Sequence, residues 1–175
     1  MDSYRKCSPR ELPGNLIDRI AEEWMLVTAG SPEEGAATMT VSWGSMGYIW
    51  NHNFVMVVLR HSRNTLPFVE RNGAFSLGLF TPDYRDKLTY CGRHSGREVD
   101  KIAHCGFTTA YEDGVPYFKE ADTVLICRTM YQCDIEAENF LVPNLYEQWY
   151  NTGVHKGDPH RMFLASIETV LRKEH

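Results

Sequence analysis

The sequence predicts a mainly β protein whose strands form an antiparallel, Greek-key-like barrel with short helical insertions. Apolar residues recur in short segments of alternating or continuous type, and most of these segments are joined by turns of hairpin length. The helical segments are few and short. This pattern favours a barrel over a wound α/β sheet. Neither the Gly-x-Gly-x-x-Gly pattern nor the P-loop pattern occurs, so a nucleotide, if bound, is bound in another way.

The first part of the chain predicts a helix and a hairpin. A short helix starts near Asn15 and runs to Glu23, and a strand follows from Trp24 to Ala29. The segment from Gly30 to Gly35 is dense in turn residues, so the alternating strand from Thr38 to Trp43 should return beside the first one.

Two more strands flank a capped helix in the middle of the chain. Met46 to Trp50 is extended or looped, and Phe54 to Leu59 is a nearly unbroken apolar run, typical of a strand covered on both faces. Leu66 to Asn72 predicts a helix that Gly73 can end. Ala74 to Phe80 then alternates as a strand does.

The second half predicts helices first and strands afterwards. Thr81, Pro82 and Asp83 start a helix that runs to about Tyr90, and a further short helix closes near Gly106. The later strands are Phe107 to Ala110, Val115 to Phe118, a central strand from Thr123 to Cys133, and Arg161 to Leu171. Between the last two, residues 136–150 predict short helices and loop, because Pro143 interrupts them.

Composition limits the classes of function. At 175 residues the chain is most simply one domain, with residues 1–12 as an arm. A net charge of -5 argues against nucleic-acid binding. Five cysteines without a compact disulfide-like pattern indicate a reducing cytoplasm, and the lack of an apolar leader or a long apolar run predicts no membrane insertion.

The stretch from Thr38 to Phe68 predicts a site for a phosphorylated cofactor. One face of the Thr38 strand offers hydroxyl groups, and the Phe54 strand delivers Arg60 to its end. Hydroxyl, amide and guanidinium groups follow at Ser62, Arg63, Asn64 and Thr65, where a helix start suits a phosphate. Ordinary capping by Asn64 or Thr65 beside solvated arginines is the alternative interpretation.

A second polar cluster lies between Cys91 and Lys101. Glycines, a serine and basic groups form a loop there before a short helix. Asp100 is expected to pair with Arg97 or Lys101, or to cap that helix. A solvated surface loop is the alternative.

With both clusters, the chain resembles the flavin reductase-like, flavoredoxin-type proteins of the FMN-binding split barrel class. The motifs that carry the resemblance are Thr38-Met-Thr-Val-Ser-Trp-Gly44, Arg60-x-Ser-Arg-x-Thr65 followed by Phe68, Cys91-Gly-x-x-Ser-Gly-Arg-x-x-Asp-Lys101, and His160-Arg-Met. Two departures are Ala37, where many relatives carry asparagine, and Ala165-Ser166-Ile167, where the last strand often reads Gly-Glu-Ile.

The resemblance implies an FMN site shared between these motifs. The residues implied for the isoalloxazine end are Met39, Thr40, Val41, Ser42 and Trp43. Those implied for the phosphate are Arg60, Ser62, Arg63 and Thr65, since fork-shaped cationic donors suit a dianion. Those implied for the ribityl-phosphate or pyrimidine side are Ser95, Gly96, Arg97 and Lys101. Trp43 as a core tryptophan is the alternative interpretation.

Other polar residues are interpreted more narrowly. The resemblance places His160 beside the flavin as the catalytic candidate, with a hydrogen-bonded strand-end histidine as the alternative. The residues Cys91, His94, His104 and Cys105 are metal-ligand types, but their spacing is poor and no metal site is predicted. Cys91 is expected to be buried and inert rather than a redox thiol. Tyr146, Trp149 and Tyr150 are expected to serve packing or a dimer surface.

The resemblance implies an FMN-dependent NAD(P)H oxidoreductase that acts as a homodimer. NAD(P)H would reduce the flavin, and free flavin or a redox partner protein would accept the electrons. The altered Ala165-Ser166 segment keeps open a flavoredoxin-type electron carrier without NAD(P)H activity of its own. A non-enzymatic small-ligand binding barrel is the third hypothesis.

Overall fold

The structure, a computed structural model that describes residues 3–174, is built on antiparallel strands joined by short helical segments. Among the described residues the strands are β1 (Tyr4–Cys7), β2 (Met25–Ser31), β3 (Gly35–Val41), β4 (Gly44–Ile49), β5 (His52–Arg60), β6 (Ala74–Leu79), β7 (Thr109–Glu112), β8 (Val115–Phe118), β9 (Thr123–Asp134) and β10 (His160–Lys173). The α-helices there are α1 (Leu16–Asp18), α2 (Leu66–Asn72), α3 (Arg85–Arg93), α4 (Lys101–Cys105) and α5 (Leu145–Tyr150). The predicted mainly β class is confirmed.

Most of the strands belong to one sheet with the order β3-β2-β6-β9-β10-β5-β4, while β7 and β8 form a separate hairpin. The edge strands β3 and β4 are joined by Ser42 and Trp43 alone, so the chain itself links the two edges at one corner. The described strand pairings include no ladder between β3 and β4, so the predicted barrel is not closed.

Strand β10 organises this sheet because it pairs with three other strands. One of its edges pairs with β9 from Arg161 to Arg172. Its other edge pairs first with β5, where His160 lies opposite Arg60, and then with β1, where Val170 lies opposite Cys7. The prediction that the Thr123 strand is central is confirmed, since β9 lies between β6 and β10.

The sheet is covered on both faces where β2, β6 and β9 meet. Along β9, Leu125 and Cys127 pack into one apolar cluster, while Val124 and Ile126 pack into a second cluster beneath α3, α4 and the β7–β8 hairpin. A strand segment with two covered faces is typically apolar at successive positions, which explains the continuous apolar run from Val124 to Cys127 in the first half of β9. β5 differs from the prediction, because half-buried Met56 alternates with fully buried residues.

Three of the differences from the sequence prediction affect the edges of the sheet. β3 ends at Val41 instead of Trp43, because the chain turns the corner at Ser42 and Trp43. The segment around Met46, predicted as extended or looped, is strand β4 paired to β5. Tyr4–Cys7, inside the expected arm, pairs with the end of β10; residues 1 and 2 of that arm lie outside the described residues.

Two helix signals in the sequence correspond closely to the structure, whereas Thr81, predicted to start a helix, makes no side-chain cap and precedes a 3-10 turn at Pro82–Tyr84. α2 spans Leu66–Asn72 as predicted, and Gly73 ends it with a φ of 61°, a conformation that glycine adopts at little cost. Asp100 caps α4 through a 2.9 Å hydrogen bond from the Ala103 N–H. None of the described helices combines the length and apolar character needed to cross a lipid bilayer.

An ion network fixes the first residues of β10. The guanidinium of Arg161 donates to both carboxylate oxygens of Asp134 on β9, at 2.8 and 2.9 Å, and also contacts Glu70 on α2. His61 Nε2 lies 2.9 Å from the same Asp134 carboxylate. The Arg161 guanidinium holds the pKa of Asp134 below its ordinary value. The strand end that carries His160 is therefore tied to β9 and α2.

Candidate functional site

The two polar clusters meet at one cavity of about 350 Å³, which we call the cationic cavity. The predicted site residues that line it are Met39, Ser62, Arg63, Thr65, Ser95, Gly96, Arg97 and Lys101. Asn64, whose amide the sequence analysis placed beside the phosphate, lines it as well, and so do Arg93, His94 and Glu98, which were not among the predicted site residues. The Arg97 guanidinium donates to the Ser62 carbonyl at 3.0 Å, so it ties the two clusters together.

A second cavity of about 490 Å³ adjoins the first and shares Asn64, Gly96 and Lys101 with it. It continues along β3 past Ala37 and Thr38. The two cavities together form an open channel between β3 and the loop before α4. A ligand longer than a simple anion therefore has room beside the cationic cavity.

Local geometry explains why the loops can approach each other. A Cβ atom on Gly96 would lie 2.9 Å from Asn64 Nδ2, closer than such atoms normally approach, so glycine allows the close contact. Thr65 occupies the N-cap position of α2, yet its side chain makes no capping hydrogen bond. The alternative of ordinary capping by Thr65 is therefore not supported.

Two cations, buried Lys101 and half-buried Arg63, define the chemistry of the cationic cavity. Arg63 donates to the Gly92 carbonyl at 2.5 Å, and the Lys101 ammonium, on a residue only 5% exposed, donates to the Cys91 carbonyl at 3.1 Å. Both carbonyls belong to the last turn of α3, whose partial negative charge favours cations. The described ion pairs give neither cation a carboxylate partner, although Glu98 lines the same cavity.

Partial or full removal from water without a carboxylate ion-pair partner makes both charges costly, although the charge of Asp158 offsets part of this cost at Arg63. Desolvation lowers the pKa of Lys101 to about 8, and Arg63 nearby contributes a repulsion in the same direction. The pKa of Arg63 is also lowered, first by burial. A bound anion would remove this penalty, so the arrangement is suited to a phosphate or a similar group.

Strand β3, which was predicted to bind the isoalloxazine ring, lies against the same helix, α3. The Thr40 hydroxyl donates to the Leu88 carbonyl of α3 at 2.5 Å, and a Cβ atom on Gly92 would lie 3.4 Å from the Thr40 side chain. Thr40 and Arg63 thus contact the same end of α3. The Val41 side chain is buried in the core, and only its backbone is free to serve a ligand.

The remaining predicted residues meet at a separate place, which we call the aromatic corner and which consists of Trp43, Trp149, Tyr150 and His160. The Trp43 ring lies 5.0 Å from the Trp149 ring at a near-perpendicular angle, and 5.2 Å from the His160 ring. Trp43 is 39% exposed, so it is not a core tryptophan. Ser42 and Trp43 also line an apolar cavity of about 410 Å³ against α1.

His160 is buried within this corner. Its Nδ1 lies 3.0 Å from the Tyr150 hydroxyl. Burial lowers the pKa of His160 to about 4, and the positive charge of Arg60 lowers it further. The imidazole is therefore neutral at physiological pH.

Arg60 was predicted to bind the phosphate together with Ser62, Arg63 and Thr65, but the structure separates it from these residues. The Arg60 guanidinium donates to the Asp158 carbonyl at 2.6 Å and lies 5.5 Å from the centre of the Tyr150 ring. The Ser62 hydroxyl, although it lines the cationic cavity, donates to the Asp158 carboxylate at 2.5 Å. Arg60 therefore supports the aromatic corner.

Sequence reasoning missed the roles of Trp149 and Tyr150, which it interpreted as packing or dimer surface. The segment between β9 and β10 folds back so that the Gly157 N–H donates to the Tyr150 carbonyl at 2.7 Å. The dense aromatic spacing just before the Gly157-Asp158-Pro159 turn was the available signal, because the turn leads directly into His160.

The cysteine and histidine side chains near Cys91 make contacts with one another and with Tyr90. Cys91 and Cys105 lie with their sulfur atoms 3.8 Å apart, and burial raises the pKa of Cys91 to about 12, as expected of an inert thiol. The His94 and His104 rings both stack on the Tyr90 ring, with ring-centroid distances of 3.9 and 3.8 Å. Within residues 3–174 there is no cluster of three or more metal-ligand side chains.

A family comparison explains why these motifs occur together. The model of the flavin reductase like domain family matches residues 17–174. The chain belongs to this family. No curated protein sequence matches the chain as a relative.

Several solved protein structures share the fold of this flavin reductase like domain. A flavoredoxin from Methanosarcina acetivorans superimposes with a TM-score of 0.66 at 22% identity, covering 94% of this chain and 76% of its own. An FMN-binding protein from Thermus thermophilus with bound p-hydroxybenzaldehyde superimposes with a TM-score of 0.67 at 22% identity, covering 99% of this chain and 83% of its own. An NADH:FAD oxidoreductase from Streptomyces globisporus C-1027 superimposes with a TM-score of 0.61 at 15% identity, covering 87% of this chain and 78% of its own.

The buried Lys101 cation of this flavin reductase like domain should be detectable through stability. Its pKa is lowered to about 8 from an ordinary 10.5, so between these values the unfolded chain binds more protons than the folded one. The free energy of unfolding of the wild type, minus that of Lys101→Met, should therefore rise with pH, by up to about 1.4 kcal/mol per pH unit. Urea titrations across this window measure the difference.

The control is Lys119→Met, which removes an exposed lysine. Its difference from the wild type should stay flat over the same pH range. A difference for Lys101→Met that is equally flat would contradict the buried, unpaired cation.

Proposed function

We propose that this protein binds FMN and is an NAD(P)H-dependent flavin reductase that passes electrons from the flavin to free flavin or to a partner protein. The observation that carries the proposal is the pair of cations at one cavity, buried Lys101 and half-buried Arg63, which have no carboxylate partner in the described ion pairs. Such a pair suits the phosphate of FMN. Membership of the flavin reductase like domain family supports the flavin.

The residues of the cationic cavity would hold and orient the phosphate. Arg63 offers a planar fork of donors, Arg97 offers a second, and Lys101 supplies a point charge from beneath the loop. Thr65 contributes a hydroxyl that does not cap α2. Ser95 and Gly96 bring backbone groups close to the ligand.

The corner between β3 and β4 would hold the ring system. In this assignment Thr40, Val41 and Ser42 line the isoalloxazine with backbone and hydroxyl groups, and Trp43 lies beside it. His160 would face the incoming hydride donor as a neutral imidazole, because burial keeps it unprotonated. FMN, when bound, supplies the two-electron chemistry, and the protein supplies position and electrostatics.

An electron carrier without NAD(P)H activity is the second candidate, since Ser166 stands where the family resemblance expects an acid. The Ser166 hydroxyl contacts the Glu168 carboxylate and the Arg128 carbonyl on the paired strand. Ser166 lies six residues along β10 from His160, a span of about 20 Å at the usual strand rise. The departure is therefore remote from the aromatic corner within one chain, which favours the reductase.

An anaerobic reduction experiment distinguishes these functions. Purified protein reconstituted with FMN should retain the flavin through gel filtration, and NADH or NADPH should bleach its oxidised absorbance within the time of turnover. The wild type without added nucleotide is the control. A flavin that dithionite reduces but nucleotides do not would favour the carrier, and a protein that takes up no FMN would eliminate both.

The phosphate assignment predicts a selective loss of affinity in Arg63→Gln. Glutamine can still donate toward the Gly92 carbonyl but carries no charge. FMN binding should weaken about 10- to 100-fold, the range of charge-assisted hydrogen bonds, while riboflavin binding should be nearly unchanged. Fluorescence titration measures both ligands.

The control for this variant is Lys6→Ala, whose ammonium pairs with Glu112 on the β7–β8 hairpin. Both ligands should bind it as they bind the wild type. Equal weakening of FMN and riboflavin in Arg63→Gln would show that Arg63 supports the fold and not the phosphate.

We also propose that two chains pair as a homodimer. Leu141, Val142 and Val154, on the segment that carries the aromatic corner, are strongly exposed apolar side chains, as expected of a surface that a partner covers. Light scattering at micromolar concentration should give twice the chain mass, and Leu141→Asp should shift the protein toward the monomer. A wild-type monomer would contradict this proposal.

A further inference from the structure

The contact between Tyr150 and His160 is a buried hydrogen bond in the aromatic corner. Tyr150 is 3% exposed and His160 is 8% exposed, and the Tyr150 hydroxyl lies 3.0 Å from His160 Nδ1. This is the hydrogen bond that the structure gives to each of these two side chains. Which atom donates decides where the imidazole carries its proton.

Counting donors and acceptors favours one arrangement. If the Tyr150 hydroxyl donates to Nδ1, its hydrogen and the Nδ1 lone pair are both satisfied, and the imidazole proton lies on Nε2. If Nδ1 donates instead, the buried hydroxyl hydrogen has no acceptor among the described residues. An unpaired buried donor is costly, so the first arrangement is favoured.

The position of Nε2 supports the same arrangement. Within residues 3–174, Thr129 Oγ1 is the buried side-chain nitrogen or oxygen without a partner. Nε2 of His160 has no hydrogen bond in the described structure and is not in that class, so it keeps access to solvent. An Nε2–H group at that position is a donor available to solvent or to a ligand at this corner, where the Trp43 ring lies 5.2 Å from the imidazole ring.

Tyr150 is held firmly enough to position its neighbour. Its backbone carbonyl accepts from the Gly157 N–H at 2.7 Å, and the Arg60 guanidinium lies over its ring. Arg60 in turn is bound to the Asp158 carbonyl, two residues before His160. The orientation of the Tyr150 hydroxyl is therefore set by the same segment that places His160.

We infer that Tyr150 is a positioning residue that holds His160 as a neutral Nε2–H donor. The donor would recognise a carbonyl oxygen or a ring nitrogen on the group that binds beside Trp43. This role rests on the proposed flavin site, and it narrows the substrate to a ring compound that presents a hydrogen-bond acceptor at this corner.

The charged groups around the imidazole are consistent with a neutral ring. Arg60 on β5 and the neighbouring His61 and His155 oppose protonation, while Asp158 favours it. Burial outweighs Asp158, and the pKa of His160 lies at about 4. Measurements at neutral pH therefore observe the neutral tautomers of His160.

The test is the tautomer of His160, read by long-range proton–nitrogen NMR on histidine-labelled protein without flavin. Wild-type His160 should carry its proton on Nε2, with Nδ1 unprotonated. Tyr150→Phe keeps the ring and removes the hydroxyl, so the tautomer ratio should fall about fivefold, the ratio that one ordinary net hydrogen bond supplies. The His160 resonances are assigned with His160→Gln.

Tyr146→Phe is the matched control, because Tyr146 lies on the same helix and contacts the Tyr150 ring without a hydrogen bond to His160. It should leave the tautomer unchanged. An Nδ1–H tautomer in the wild type would overturn the inference, and so would an identical ratio in Tyr150→Phe whose circular dichroism spectrum shows a folded protein.

Flavin binding is then measured on the same variants. If the wild type binds no FMN but shows the Nε2–H tautomer, the proposed function fails while the positioning role of Tyr150 stands. If FMN binds and the tautomer is reversed, the positioning role fails alone. In FMN-loaded protein that nucleotides reduce, Tyr150→Phe should raise KM for the nucleotide more than it lowers kcat.

Discussion

The ladder between β10 and β5 is the constraint on which the rest of the structure depends. Its register sets His160 opposite Arg60, so the end of β5 and the start of β10 lie side by side. The loop after Arg60 must then pass beside the segment that precedes His160. A slip of one residue would turn His160 to the other face of the sheet, because side chains alternate along a strand. The ion network of Arg161 opposes such a slip.

The cationic cavity and the aromatic corner, the two parts of the candidate site, differ in the charge of the polar side chains that they offer to a ligand. The cationic cavity holds half-buried Arg63 and buried Lys101 on the carbonyls at the end of α3, and the lowered pKa of Lys101 reflects the cost of its burial. The aromatic corner keeps His160 neutral beside Arg60. One part therefore attracts an anion, and the other offers an uncharged polar group among rings. Local conflicts with stability of this kind are typical of functional sites.

The segment between β9 and β10 gives this chain its particular corner. It brings Trp149 against Trp43 and Tyr150 against His160, and Asp158 holds it to Arg60 and Ser62. A fold shared with flavoredoxins and with an NADH:FAD oxidoreductase leaves open which acceptor or donor is used. Residues on a connecting segment can change that choice while the sheet stays the same.

The sequence by itself determined most of the local features: the mainly β class, the strands other than β1 and β4, α2 with its Gly73 end, the Asp100 cap, and the two motif clusters. These follow from neighbouring residues through periodicity and capping. Only the tertiary structure decided that Arg63 enters the cationic cavity while Arg60 supports the aromatic corner. It also decided that Tyr150 meets His160. The physical reason is that these contacts depend on strand register and chain return, which join residues as far apart as Arg60 and Asp158, 98 positions along the chain.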